Sequence, residues 1–192
     1  MKATENIESK TQAALNSVRL LLGKSVVPGD LIRANILVNK ILEQDPTLVD
    51  AWILKCQVLS AMEDDVAALA AIEMAVKRAI FSAEPHYWRA AVMTDLGRHK
   101  AALKAINRAF RCFLEEDSWL LEDMYFEKCS ILVNLGQHEK ALSVAVIALR
   151  RCPGSVALKD KVKALQKNAV RSRLKIMNGG LGKKNEPLKN YN

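Results

Sequence analysis

The chain contains the side chains that most often bind metals or transfer protons: three histidines and four cysteines. The cysteines are Cys56, Cys112, Cys129 and Cys152. They form no CxxC pair and have no pair of histidines nearby, a pattern that disfavours both a zinc site and a redox dithiol. We therefore predict four free thiols that behave as small hydrophobic side chains.

The histidines occupy related positions rather than a cluster. His99 and His138 each stand three residues before an alanine, Ala102 and Ala141, in segments of similar pattern, and His86 is the third. A shared position in similar segments indicates equivalent positions of a sequence repeat, and not an acid–base pair or a metal site.

The remaining candidates for catalytic chemistry are also weak. The dipeptides Leu96-Gly97 and Leu135-Gly136 are isolated glycine turns between helical runs, and no Gly-rich phosphate loop is present. No nucleophile has a base in a recognisable pattern. We predict a protein that is not an enzyme and that holds no cofactor and no metal ion.

The elements that position these residues are predicted to be helices throughout. Ala, Leu, Lys and Glu dominate runs with helical periodicity, and the sparse glycines and prolines fall between those runs. The predicted helices are Thr4–Leu22, Asp30–Gln44, Asp50–Met62, Val66–Ile80, Pro85–Leu96, His99–Leu114, Trp119–Leu135, His138–Arg150 and Val156–Met177. Asp30 is the predicted N-cap of the second helix, and Asp117 or Ser118 that of the seventh.

The first ten residues lack the apolar core of a secretory signal, and no apolar run approaches the roughly 18 residues of a membrane span. These features predict a soluble cytoplasmic protein without a membrane span.

Positive charge is concentrated at the carboxyl end. Residues 145–192 hold 12 of the 29 Lys and Arg but 2 of the 21 Asp and Glu, which is +10, and leaves −2 for residues 1–144. We predict a basic helix at 154–177 followed by a flexible basic tail at 178–192. The basic residues of the helix are Lys159, Lys161, Lys163, Lys167, Arg171, Arg173 and Lys175.

Three columns of core-type residues recur along the chain. Alanines recur 34 residues apart at Ala34, Ala68 and Ala102, and again 39 residues later at Ala141. Four residues further on stand Val38, Ile72, Ile106 and Ala145, and seven residues further on Ile41, Ala75, Ala109 and Ala148. The five extra residues place an insertion around FLEEDSW, which we expect to lengthen the neighbouring helices.

Helix pairs with a 34-residue period resemble the tetratricopeptide repeat family, over roughly residues 11–152. The chain departs from that family where His86 and Val18 replace an aromatic residue, which Trp52 and Tyr125 retain. The resemblance implies an all-α, right-handed α-solenoid of about four helix-turn-helix repeats, at 1–152, with the basic helix as a carboxyl-terminal cap. The repeats are placed at about 11–46, 47–80, 84–114 and 119–153.

The first helix of each repeat lines the concave surface in this family, so equivalent residues form rows. Eighteen residues before each alanine stand Asn16, Asp50, Glu84 and Asp123, and fifteen before stand Arg19, Ile53, Tyr87 and Phe126. The implied peptide-binding groove comprises Asp50, Ile53, Gln57, Glu84, Tyr87, Asp123 and Phe126. The alternative is that the acids favour helix N-termini and the aromatic rings belong to the core.

The leading functional hypothesis is a protein–protein interaction module, an adaptor or secretion-type chaperone, that binds a basic and apolar peptide segment. The first alternative is binding of nucleic acid or another anionic surface through the basic end. The second is a structural scaffold that self-associates into a homo-oligomer.

Overall fold

A computed structural model describes the backbone of residues 2–23 and 28–181 and the side chains of residues 9–23 and 28–168. The chain divides into two compact units, Met1–Glu127 and Lys128–Asn192. All regular elements in the described residues are helical: α1 Lys2–Gly23, α2 Pro28–Gln44, α3 Val49–Ala61, α4 Asp65–Arg78, α5 Ala83–Asp95, α6 His99–Cys112, a 3₁₀-helix Glu115–Leu120, α7 Leu121–Asn134, α8 His138–Arg151 and α9 Val156–Leu181. None of these helices is long and apolar enough to cross a membrane.

The first unit is built from three helix pairs, α1/α2, α3/α4 and α5/α6. Each helix contacts its partner, α2 contacts α3, α4 contacts α5, and the first helices also contact one another as α1·α3 and α3·α5. Short turns join α3 to α4 and α5 to α6, which makes each of these two pairs antiparallel. The first helices therefore form one layer, and this layer positions the candidate site.

The alanine columns lie where helices cross. Ala34, Ala68 and Ala102 have no solvent exposure, and neither has Ala141 in the second unit. The next core column is also enclosed, since Val38, Ile72 and Ile106 are fully buried. The burial predicted for the alanines is confirmed.

The turns inside the pairs share one backbone feature. Gly97 and Gly136 have positive φ angles of 70° and 71°, and Glu63 adopts a φ of 63° at the equivalent place between α3 and α4. Glycine reaches this left-handed conformation without strain because it has no Cβ, whereas in other residues it costs roughly 1–2 kcal/mol. Asp64 then caps α4 by accepting the N–H of Ala67 at 3.0 Å.

In the second unit, α9 packs against α8. The side chains of Leu158, Val162 and Leu165 form a buried stripe on α9. Ser155 stands directly before α9, and its hydroxyl accepts the N–H of Leu158 at 3.0 Å.

The structure corrects three predicted boundaries. α2 begins at Pro28, so Asp30 lies inside the first turn, where its carboxylate contacts Arg33 at 3.3 Å, and is not the N-cap. Proline favours a first helical position because its φ is already helical.

α9 continues through Gly179 and Gly180 to Leu181, past the predicted end at Met177. Glycine weakens a helix by about 1 kcal/mol but does not by itself end one.

The third correction concerns the insertion. α6 and α7 have 14 residues each, as α8 has, so neither is lengthened. The extra residues form the 3₁₀-helix instead, and α7 begins at Leu121 rather than at Trp119. Asp117 lies inside this short helix and accepts the N–H of Leu114 at 3.0 Å, so neither Asp117 nor Ser118 caps α7. Of the predicted tail, residues 182–192 lie outside the described residues.

We predict that Ala102→Leu lowers the free energy of unfolding by about 1–3 kcal/mol, because three added carbons have no space at a helix crossing. Urea unfolding followed by circular dichroism measures this. Ala13→Leu, at an exposed position of α1, is the control and should leave stability within about 0.5 kcal/mol. Equal stability of the two variants would contradict the tight contact at Ala102.

Candidate functional site: a pocket on the first helices

A pocket of about 200 Å³ opens on the layer formed by the first helices. It is lined by Arg19 from α1, by Asp50, Ile53, Leu54 and Gln57 from α3, by Glu84 and Trp88 from α5, and by Trp119 from the 3₁₀-helix. Four of the seven predicted groove residues, Asp50, Ile53, Gln57 and Glu84, are therefore brought together.

Helical spacing explains why the α3 residues meet. Positions 50, 53, 54 and 57 are separated by three or four residues and so share one face of the helix. On α5, Glu84 and Trp88 are likewise four residues apart. The contacts of α3 with both α1 and α5 bring these faces side by side.

Asp50 is already paired with a cation of the same chain. The Arg19 guanidinium contacts the Asp50 carboxylate at 3.0 Å, and it also donates to the side-chain oxygen of Asn16 at 3.0 Å. The side chains of Arg19 and Asp50 are 43% and 53% exposed. Ion pairs this exposed contribute about 0–1 kcal/mol, so a ligand can displace Arg19 at little cost.

Glu84 sits deeper than Asp50. Burial raises the pKa of its carboxyl and the nearby Asp50 adds to that rise, whereas the hydrogen bond from Trp88 and the positive charge of Arg19 oppose it. The bond from the Trp88 indole N–H to Glu84 Oε1 measures 3.3 Å. Among the described residues, no cation forms an ion pair with Glu84. This carboxylate is thus the part of the pocket where a positive group from outside would be most stabilised.

The remaining predicted groove residues, Tyr87, Asp123 and Phe126, do not line this pocket. Tyr87 is half-buried, and its ring packs edge-on against Trp88 with centroids 5.1 Å apart. Burial raises the pKa of Tyr87, and the carboxylates of Asp123 and Glu127 add to the effect. Asp123 and Phe126 are exposed. Tyr87 therefore adjoins the pocket through the Trp88 ring, whereas Asp123 and Phe126 stand outside the pocket on α7.

Two tryptophans of the pocket were missed by the sequence analysis. Trp88 could have been found, because it lies four residues after Glu84 and so must share its helix face. Trp119 lies in the insertion, outside the repeat columns, and is 61% exposed. Neither its place in the 3₁₀-helix nor its approach to α3 follows from the 34-residue period.

No family model matches the sequence, and no curated protein matches it. Solved structures do match. A thermophilic tetratricopeptide-repeat protein from Thermus thermophilus is similar with a TM-score of 0.72, at 16% identity over 86% of each chain. YrrB, described as a tetratricopeptide-repeat protein with an unusual peptide-binding site, is similar with a TM-score of 0.60, at 23% identity over 88% of this chain and 82% of that one. PilF of Pseudomonas aeruginosa matches with a TM-score of 0.67, at 15% identity over 92% of this chain and 80% of its own.

The fold is that of the tetratricopeptide-repeat proteins. The all-α solenoid fold that the family resemblance implied is therefore confirmed. Within a tetratricopeptide-repeat fold, the pocket lies on the first helices, the helices from which the groove was predicted.

The histidines and cysteines are not among the residues that line the pocket. His86 is buried, and its Nε2–H donates to the carbonyl oxygen of Ile80 at 3.0 Å. His99 and His138 are the first residues of α6 and α8. The four cysteines, all among the described residues, form no disulfide, and burial raises the pKa of Cys56 to about 12 and that of Cys129 to about 11. The described residues include no group of three or more His, Cys, Asp or Glu that could hold a metal ion.

The predicted basic end is only partly an exposed surface. Lys159, Lys163 and Lys167 are exposed on α9, whereas Lys161 is half-buried and donates to the Ser130 hydroxyl at 3.1 Å. Lys163 also contacts Asp160 at 3.4 Å. Arg171, Arg173 and Lys175 belong to the α9 backbone, but their side chains lie outside the described residues.

We predict a pH-dependent gain in stability for Glu84→Gln. Because burial raises the pKa of Glu84 above its ordinary 4.5, the folded state holds this proton more tightly than the unfolded state. The carboxyl therefore contributes stability at acid pH that is lost as pH rises from 4.5 through the folded value. Glutamine keeps an acceptor for Trp88 and never ionises.

The measurement is the difference in the free energy of unfolding, variant minus parent, from urea titrations at about pH 4 and about pH 7. This difference should become more positive toward pH 7. Glu43→Gln, at an exposed position of α2, is the matched control, and the change for Glu84→Gln should exceed the change for this control. A flat profile for Glu84→Gln would contradict the burial of this carboxylate.

Proposed function

We propose that the protein is a non-catalytic interaction module, an adaptor or secretion-type chaperone, that binds a peptide segment of another protein by a basic side chain flanked by apolar ones. The observation that carries this proposal is the convergence of two carboxylates, Asp50 and Glu84, with two indole rings, Trp88 and Trp119, in one pocket. The fold supports the general class, since the tetratricopeptide-repeat structure of YrrB is described with a peptide-binding site.

The chemistry of the pocket selects a cation. Guanidinium and ammonium groups are attracted both to carboxylates and to the faces of indole rings. Arg19 already forms such a contact with Asp50 from within the chain, so a guanidinium fits this part of the pocket. In the proposed complex the ligand's cation pairs with Glu84 beside the two rings. The apolar flanks of the ligand then lie on Ile53 and Leu54.

Tyr87, Asp123 and Phe126 have a secondary role in this proposal. In the proposed complex they contact the residues of the peptide that follow the anchoring cation. We expect them to adjust affinity without setting the preference for a positive charge, because they are outside the pocket.

The test compares two synthetic peptides that differ at one position between leucines. This position is arginine in the first peptide and its neutral analogue citrulline in the second. Isothermal titration should show that the arginine peptide binds at least about tenfold more tightly, since charged hydrogen bonds contribute about 1.5–3 kcal/mol. Glu84→Gln and Trp119→Ala should each reduce that preference.

Glu43→Gln is the control and should retain the full preference for arginine. The proposal is wrong if both peptides bind equally well to the parent protein, or if Glu84→Gln leaves the preference intact. Circular dichroism of each variant shows whether the helices persist.

The exposed lysines of α9 favour a second candidate function, contact with nucleic-acid phosphates. Lys159, Lys163 and Lys167 are four residues apart and so form one exposed stripe on this helix. Phosphate contacts of this kind give affinity without sequence readout. The stripe is narrow, and it is independent of the peptide pocket.

If this stripe binds duplex DNA, affinity should fall steeply with salt, and changing all three lysines to glutamine should reduce the slope of log affinity against log salt by about 2–3. Fluorescence anisotropy with a labelled duplex measures both slopes. Glutamine at Lys100, Lys104 and Lys140, which are also exposed, is the charge-matched control. Absence of binding at low salt, or equal slopes for the two triple variants, would remove this candidate.

A further inference from the structure

A larger cleft lies on the other helices of the first unit, between α2 and α4, with α3 as its floor. Its volume is about 540 Å³. Its walls are mainly apolar or small: Asn35, Asn39, Trp52, Lys55, Leu59, Ala67, Ala70, Ala71 and Met74. None of these residues belongs to the peptide pocket.

Exposed apolar side chains border this cleft. Ile32 and Ile36 on α2 are 53% and 52% exposed, and Val66 on α4 is 72% exposed. Ile32 and Ile36 share a helix face with Asn35 and Asn39, because these positions are three or four residues apart. Large apolar side chains grouped around an apolar cleft are typical of a surface that another molecule covers.

One polar atom of the cleft lacks a hydrogen bond. The side-chain oxygen of Asn35 is buried, and no donor among the described residues reaches it. A buried acceptor without a partner costs about 1–3 kcal/mol. A molecule that fills the cleft is therefore stabilised if it presents an N–H or O–H group at this point.

The two ends of the cleft carry opposite charge. At one end the cations of Lys55 and Arg78 lie 5.5 and 5.6 Å from the centre of the Trp52 ring. At the other end α4 begins, where Glu63, Asp64 and Asp65 follow one another. Because α2 and α3, and α3 and α4, are each joined by a short turn, α2 and α4 run in the same direction. The basic end lies at their carboxyl termini and the acidic end at their amino termini.

A surface with this arrangement is complementary to itself. A two-fold axis perpendicular to the helices places the acidic end of one copy against the basic end of the other, twice in the same interface. The same rotation sets the two α2 helices antiparallel. The apolar side chains Ile32 and Ile36 of each copy then lie against the partner's α2, and the amide of Asn39 supplies an N–H donor of the kind that Asn35 lacks.

We propose that a second copy of this chain covers the cleft, forming a two-fold dimer in which the α2 helices of the two protomers pack antiparallel and the two α2–α4 clefts face each other. An unrelated partner would have to bring an amphipathic helix with the same apolar spacing, a side-chain amide and the reverse charge order. The chain's own α2 and α4 carry all of these. The peptide pocket belongs to α1, α3, α5 and the 3₁₀-helix and is not used in the dimer.

The first test is sedimentation equilibrium of the full chain. At about 100 μM the mass should approach twice the 21.3 kDa of one chain and fall toward one chain on dilution, as mass action requires. Ile32→Glu combined with Ile36→Glu should raise the dissociation constant at least about tenfold, because two buried carboxylates would have no partner. Ile147→Glu, on α8 with a comparable 50% exposure, is the matched control and should leave dimerisation unchanged.

The second test exploits the two charged ends. A first variant carries Glu63→Lys and Asp65→Lys, and a second carries Lys77→Glu and Arg78→Glu. Each variant alone should be monomeric, since like charges meet at both ends of its dimer. An equimolar mixture should dimerise, because both ends then pair opposite charges. Thermal melting of each variant identifies any loss of folding.

The proposal is overturned if the parent chain stays monomeric at the highest concentration, or if the isoleucine variant dimerises as the parent does. It is equally overturned if Ile147→Glu weakens the dimer as much, or if the mixture of charge variants remains monomeric. A heterodimer formed only in the mixture supports it. Binding of the arginine peptide is a separate measurement, so failure of one proposal leaves the other testable.

Discussion

The close approach of neighbouring helices at alanine is the constraint on which the rest of the first unit depends. Ala34, Ala68 and Ala102 have no exposure, and small side chains at such buried positions let two helices pack closely. The larger side chains of the next column, such as Ile72 and Ile106, then fill the space on either side. Once these contacts are set, the rotation of each helix about its axis is also set.

That rotation determines what each face of the unit presents. One face of α3 must carry Asp50, Ile53 and Gln57, and α5 must set Glu84 beside them. The same constraint directs Asn35 and Ala70 toward the cleft between α2 and α4. A single packing rule thus yields two surfaces of different chemistry, one acidic and aromatic, the other apolar with charged ends.

Repetition explains which parts of the structure could be predicted from sequence. Helices α3 to α6 begin and end within about two residues of the predicted bounds. Two independent signals indicate these bounds: the apolar periodicity of each helix and the turns at Gly97 and Asp64. Four pocket residues followed from the same columns. The insertion lies outside the repeat columns. Its 3₁₀-helix at Glu115–Leu120 was mispredicted, and Trp119 within it was missed. An insertion has no second copy in the chain, so its conformation depends on tertiary contacts that one sequence does not display.

Position 63 shows how a repeat can depart from its own pattern. The equivalent turns use glycine, at Gly97 and Gly136, but here a glutamate adopts the left-handed backbone. A mutation to glycine would relax the backbone and at the same time delete one carboxylate from the acidic group at the start of α4. Backbone strain therefore favours glycine at this position, whereas the acidic charge at the start of α4 requires the glutamate.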